Sequence, residues 1–187
     1  MTFLITLFAM MLVIFFGYFV WKRKKNKKII SNNNDKLKYI DVMTSLKNRN
    51  YLNLKMKEWD DNTTYPQSFI IVDLNNIKYI NDHAGHEEGD MVIKKAASIL
   101  IAIQEANTDI VRTDGNEFLV YMVGYDEQDV VNYTRRIYKE LKALPYGYGA
   151  SVGYSMIFDD VKTVDDAINE ATIDMRNRKE QMMGDKN

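Results

Sequence analysis

The sequence predicts an α/β domain with a mixed central sheet, preceded by one apolar segment. Three observations carry that reading. From about Leu37 onward, apolar runs of strand length alternate with longer stretches of helical periodicity. An Asp114-Gly115 pair between two of the short runs is a two-residue hairpin signal, which makes the sheet mixed rather than wholly parallel. Ahead of all of these stands an N-terminal run from Phe3 to Val20, interrupted only by Thr6, Gly17 and Tyr18.

In chain order that run comes first. At about 1.5 Å per helical residue, ~20 residues cross a ~30 Å hydrocarbon core. Trp21 stands where an interfacial aromatic anchors such a helix, and residues 22–28 contribute six basic side chains. A cleaved leader wants basic residues before its apolar run and small ones after it. Here Met1-Thr2 brings no charge, and the run ends in aromatic and basic residues. The expectation is a retained single-pass helix over residues 1–21, embedding residues 3–21 in a cell membrane with the N-terminus outside. Residues 22–36 form a basic juxtamembrane segment and a polar linker closing on Ser31-Asn-Asn-Asn-Asp35. Residues 37–187 form the domain, expected in the cytoplasm.

Within the domain, helical signals begin near Leu37, and Tyr51–Trp59 has the spacing of an amphipathic helix. Ser68–Asp73 is a short apolar run closing on a carboxylate, the pattern of a buried central strand. Met91–Ala106 returns to helical spacing. Asp109–Arg112 and Phe118–Val123 are the strands of the hairpin. Asp126–Leu144 is a helix stopped by Pro145, Tyr148–Ile157 a strand, and Val164–Met183 a last helix before Gly184. No internal repeat is present.

Composition excludes several functions. With residues 22–28 set aside, 19 basic side chains face 26 acidic ones, a net of about −7. Nucleic-acid surfaces are basic, so no nucleic-acid partner is expected. The absence of cysteine excludes disulfides, thiol catalysis and thiolate metal sites. His83 and His86 are the only histidines and have no third nitrogen or sulfur ligand near them, which speaks against a metal pair.

Two blocks hold the candidate chemistry. The first is Asp73-Leu-Asn-Asn-Ile-Lys78-Tyr-Ile-Asn81-Asp82-His-Ala-Gly85-His86-Glu-Glu-Gly89-Asp90; the second is Arg112-Thr-Asp114-Gly115-Asn116-Glu117-Phe118. With Asp41-Val-Met-Thr44-Ser45-Leu46-Lys-Asn48-Arg49-Asn50 ahead of them, they resemble the GGDEF domain of diguanylate cyclases from about Asp41 to Asn177. The resemblance implies a ferredoxin-like palm whose hairpin carries the active loop. It also implies an activity that joins two GTP molecules into cyclic di-GMP, with Mg²⁺ offsetting charge and a two-fold dimer bringing two half-sites together.

By the same resemblance, Asp73 and the Leu74 carbonyl are metal ligands, and Asn81 and Asp90 read guanine. Lys78 and Glu117 belong to the catalytic group, Gly115 and Arg176 to the nucleotide site, and His86 is a turn residue. A carboxylate suits guanine because it accepts from both N1–H and the 2-amino group, a donor pair adenine lacks. Taken singly, Asp73 would be a helix cap and Asn81 and Asp90 turn residues. The intact spacing of the block is what favours a nucleotide site.

The departures from the family pattern fall on the phosphate and metal end. Asn116 stands where the family has an acidic metal ligand and proposed base; a neutral amide is a poorer Mg²⁺ ligand and takes no proton near neutral pH. Asp114 replaces a glycine that permits close approach of phosphates. Laid on Val164–Asn177, the last-helix pattern Ala-Asp-x-Ala-Leu-Tyr-x-Ala-Lys-x-x-Gly-Arg-Asn puts Thr172 in place of the phosphate-contacting Lys and keeps Arg176. The Arg-x-x-Asp product-inhibition motif reads Glu105-Ala-Asn-Thr108. The expectation is a degenerate, membrane-anchored member that binds GTP or GDP, with Mg²⁺ if nucleotide is bound, or a protein partner. The resemblance implies pairing, with itself or with another protein of the family; an active cyclase is the alternative.

Overall fold

The computed structural model describes residues 15, 17–19, 21–23 and 37–184. The chain divides between Lys38 and Tyr39. Most of the apolar run and linker therefore lie outside the described residues. Among the described residues, no helix is long and apolar enough to cross a membrane.

From Tyr39 onward the elements follow as β1 Lys47–Asn48, α1 Arg49–Asp60, β2 Gln67–Leu74, α2 Ile77–Ala84, α3 His86–Ala102, β3 Thr108–Arg112, β4 Glu117–Val123, α4 Glu127–Leu141, β5 Ala150–Ile157 and α5 Val164–Gly184. One 3₁₀ turn, Pro145–Gly147, precedes β5. The five strands form a single sheet in the order β1-β3-β4-β2-β5. Only β1 and β3 run parallel; the other pairs are antiparallel, so the sheet is mixed as the hairpin signal implied.

β2 organises both layers of the core. Successive strand residues point to opposite faces. Ile70, Val72 and Leu74 accordingly join Val92, Ala96 and Leu100 of α3 and Val130 and Ile137 of α4 in one cluster. Phe69 and Ile71 join Leu52 and Trp59 of α1 and Ala167, Ala171 and Met175 of α5 in the other. The same alternation places Asp73 on the α1/α5 face. Gly153 of β5 lets α5 come down onto the sheet: a Cβ there would lie 2.1 Å from the Met175 amide nitrogen and 2.6 Å from the Ala171 carbonyl oxygen.

Helix starts follow side-chain chemistry. Asn48 accepts from the Tyr51 N–H at 3.1 Å to open α1, and Asp126 accepts from Asp129 at 2.8 Å to open α4. Thr163 and Asp166 cap α5 reciprocally.

Two expectations need correction. The helix read over Met91–Ala106 begins at His86 and is preceded by a further helix, α2, because Ile77 and Ile80 bury one face of a stretch read only as a site loop. The hairpin is also not a two-residue turn. Residues 113–116 separate β3 from β4, and neither Asp114 nor Gly115 has the positive φ of a type I′ turn.

Candidate functional site

At the end of β2 the Asp73 carboxylate and the Leu74 carbonyl stand side by side, and Asn116 closes over both. Its amide nitrogen donates to Asp73 Oδ1 at 2.6 Å and to the Leu74 oxygen at 2.9 Å. The backbone holds it there, since the Leu74 N–H donates to the Asn116 carbonyl at 3.0 Å. The other Asp73 oxygen receives the Lys179 ammonium of α5, which reaches it because Asp73 lies on the α5 face.

Arg112 braces the loop that carries Asn116. Its Nη2 donates to the Gly115 carbonyl at 2.6 Å, and its Nη1 lies 3.1 Å from both oxygens of Asp41. Asp41 also accepts from the backbone N–H and hydroxyl of Thr44. Partial burial alone would raise the Asp41 pKa, but the Thr44 hydrogen bonds and the Arg112 guanidinium outweigh it and hold the carboxyl below its ordinary range. Within the loop, Asp114 folds back so that its Oδ1 accepts from the Gly115 N–H at 2.8 Å.

The cleft beside this loop has a volume of about 920 Å³. Asn116, Gly115 and Lys179 line one part of it, and Asn81, His86 and Asp90 another, with Lys78 also in its wall. Asn81 fits because residue 89 is glycine: a Cβ there would come within 1.9 Å of Asn81 Oδ1. That oxygen is buried and has no hydrogen-bond partner. An acceptor shut away from solvent against Gly89 meets a ligand's donor only if the Asn81 side chain turns toward the cleft.

Most of the residues singled out from sequence therefore share one cleft: Leu74, Lys78, Asn81, Asp90, Gly115 and Asn116 line it, and Asp73 is bonded to two of its walls. Glu117 and Arg176 do not. The Glu117 carboxylate accepts from the Thr113 hydroxyl at 2.6 Å, and Arg176 is exposed and outside the lining. Thr172 spends its hydroxyl on the Ile168 carbonyl of its own helix. The residue that sequence reading missed is Lys179. Its signal was present: laid from Ala171 rather than Val164, the last-helix pattern puts its Lys on Lys179 and its Arg on Met183. The shift is seven residues, about two helical turns, so both registers present similar faces. His83 is exposed, with Nδ1 2.9 Å from the Tyr79 carbonyl and its ring stacked on Tyr79; His86, read as a turn residue, is the first residue of α3 and lines the cleft.

The residues fit Mg²⁺ poorly. Mg²⁺ demands hard oxygen ligands in near-octahedral array. Here the carboxylate and carbonyl oxygens face an amide N–H₂ and an ammonium, both donors. Among the described residues no group of three His, Asp or Glu side chains is placed to hold a metal.

Comparisons with known proteins place this geometry. Residues 38–185 match the family model described as diguanylate cyclase, GGDEF domain. Diguanylate cyclase DgcP of Escherichia coli is 30% identical over 115 residues, covering 58% of this chain and 34% of its own length. An uncharacterized signaling protein of Caulobacter vibrioides is 27% identical over 164 residues, covering 80% of this chain and 20% of its own. The chain thus spans about a third of the first relative's length and a fifth of the second's. Among solved structures, a sensory box/GGDEF family protein from Caulobacter crescentus superposes with a TM-score of 0.67 at 28% identity, covering 76% of this chain and 99% of that one. The coiled coil and GGDEF domain of DgcB from the same organism, in complex with c-di-GMP, gives 0.74 over 87% and 93% of the two chains; at 16% identity it shows the fold alone.

Proposed function

The chain belongs to the GGDEF domain family of diguanylate cyclases, and within it we propose a non-catalytic member that binds a guanine nucleotide in the cleft. The observation that supports this is the Asn116 amide, set as a donor between Asp73 and the Leu74 carbonyl. Phosphoryl transfer needs positive charge against the transferring group and help in removing the proton of the attacking hydroxyl. An amide supplies neither. Mg²⁺, which members of this family generally use, has no vacant pair of oxygens at Asp73 and Leu74.

The base end is a different matter. Asp90 is a carboxylate suited to the N1–H and 2-amino donors of guanine, and the Asn81 side-chain amide, also in the lining, supplies further bonds along the same edge. A working cyclase is the second reading, favoured by Asp73, Lys78, Asn81, Asp90 and Lys179 meeting at one cleft. Residues 3–21 anchor the protein in the membrane, with the domain on the cytoplasmic side; the apolar run and the six basic residues after it support that placement.

Competition titration tests the guanine reading. GTP or GDP is expected to displace a fluorescent guanine nucleotide at least about tenfold better than ATP, with Asp90→Ala removing the difference. Equal displacement by ATP, or an unchanged affinity in Asp90→Ala, contradicts it.

A further inference from the structure

The two ends of the cleft differ in one respect: the groups that would meet phosphates and a cation are occupied by the chain's own side chains, and the acceptor that would meet a base is not. The cation position is filled twice over, by the Asn116 amide on Asp73 Oδ1 and the Leu74 carbonyl and by the Lys179 ammonium on the second Asp73 oxygen. The adjoining anion position is filled as well. The Gly115 N–H, a backbone donor at the loop tip, is taken by Asp114 Oδ1 at 2.8 Å. Arg112 is committed to Asp41 and to the Gly115 carbonyl. Against these, Asp90 presents a half-buried carboxylate to the cleft.

We infer that the cleft takes a guanine nucleoside or nucleoside monophosphate, without a divalent cation, in preference to a triphosphate. The inference rests on the guanine reading above. A triphosphate without its metal must displace Lys179 from Asp73 or meet a loop tip whose Gly115 N–H is already taken. Either choice costs binding free energy, because a hydrogen bond the chain already makes must be broken. A guanine base asks for neither. It offers donors to Asp90 and Asn81, and Lys78 in the cleft wall is the cation placed for a single phosphate.

Isothermal titration of the full chain in detergent tests this, with guanosine, GMP, GTP and AMP as probes, each in excess Mg²⁺ and again in EDTA. GMP or guanosine is expected to bind at least about tenfold more tightly than GTP, a difference of one charged contact, with no more than about a twofold response to Mg²⁺. GTP binding more tightly than GMP in Mg²⁺ overturns the inference while leaving the guanine reading intact. AMP binding as well as GMP, or no guanine species binding at all, removes the guanine reading and the inference with it. A second arm uses Asp114→Gly combined with Asn116→Asp, which frees the Gly115 N–H and restores an acidic ligand. In that variant, GTP affinity should rise about tenfold or more on adding Mg²⁺. A double variant that keeps its fold by circular dichroism and the parent's preference for GMP would show that these two side chains do not set the ligand class.

Discussion

At position 116 the difference between an amide and a carboxylate reverses what the site can hold. A carboxylate beside Asp73 and the Leu74 carbonyl would complete a set of oxygens facing a cation; the amide instead turns its hydrogens toward them. The identity of the residue was legible in the sequence, because the spacing from Arg112 to Phe118 fixed its place in the loop. Its bonding was not, since the partners lie 43 and 42 positions away. Replacing Asn116 by Asp should recover more Mg²⁺-dependent GTP binding than replacing Asp114 by Gly, because it adds a ligand where the other only removes a repulsion. Equal recovery in separate titrations of the two variants would contradict that ranking. Gly89 gives a second test at this scale. In Gly89→Ala the new methyl collides with Asn81 Oδ1, so guanine affinity should fall about tenfold, the worth of one hydrogen bond, with the melting temperature little changed. An affinity equal to the parent's would show that Asn81 takes no part in reading the base.

At the scale of elements, strands were the legible part. β2, β4 and β5 each agree with the sequence reading to within two residues, since a buried strand announces itself by a short apolar run between polar breaks. The stretch after Asp73 was not legible: its motif residues hid the helical spacing of Ile77 and Ile80. The register of α5 failed for a physical reason, because a two-turn slip leaves the same face toward the sheet. Which of the two registers holds shows only when α5 is seated against Gly153, where Lys179 meets Asp73. Gly153→Ala should therefore destabilise the domain by about 1–3 kcal/mol, the usual cost of overpacking, and more if α5 cannot shift. Chemical denaturation with an unchanged midpoint would contradict the close approach.

The Asp41–Arg112 pair ties the segment before β1 to the site loop, and its pH response has a definite sign. A carboxyl whose folded pKa is depressed stabilises above its unfolded pKa and loses that contribution as pH falls through the folded value. Asp41→Asn should cost about 1–2 kcal/mol near neutral pH, with the gap to the parent closing below about pH 4. A gap that stays constant well below pH 4 would mean the charge on Asp41 contributes nothing.

For the whole molecule, two regions of opposite character share one chain: a basic flank after an apolar run, and a domain with about seven more acidic than basic residues. The proposed topology rests on the first. A reporter active only in the cytoplasm, fused after Asn187, should be active, and one requiring export should be silent. The reverse result would remove the domain from the compartment that holds nucleotides.

The most direct measurement is product analysis after incubating the full chain in detergent with GTP and Mg²⁺. Loss of an acidic ligand and base should lower turnover by about 10²-fold or more. Chromatography should therefore recover the GTP unchanged, with no cyclic di-GMP above a protein-free control. Cyclic di-GMP that accumulates with time, and disappears in Asp73→Ala, would contradict the non-catalytic reading.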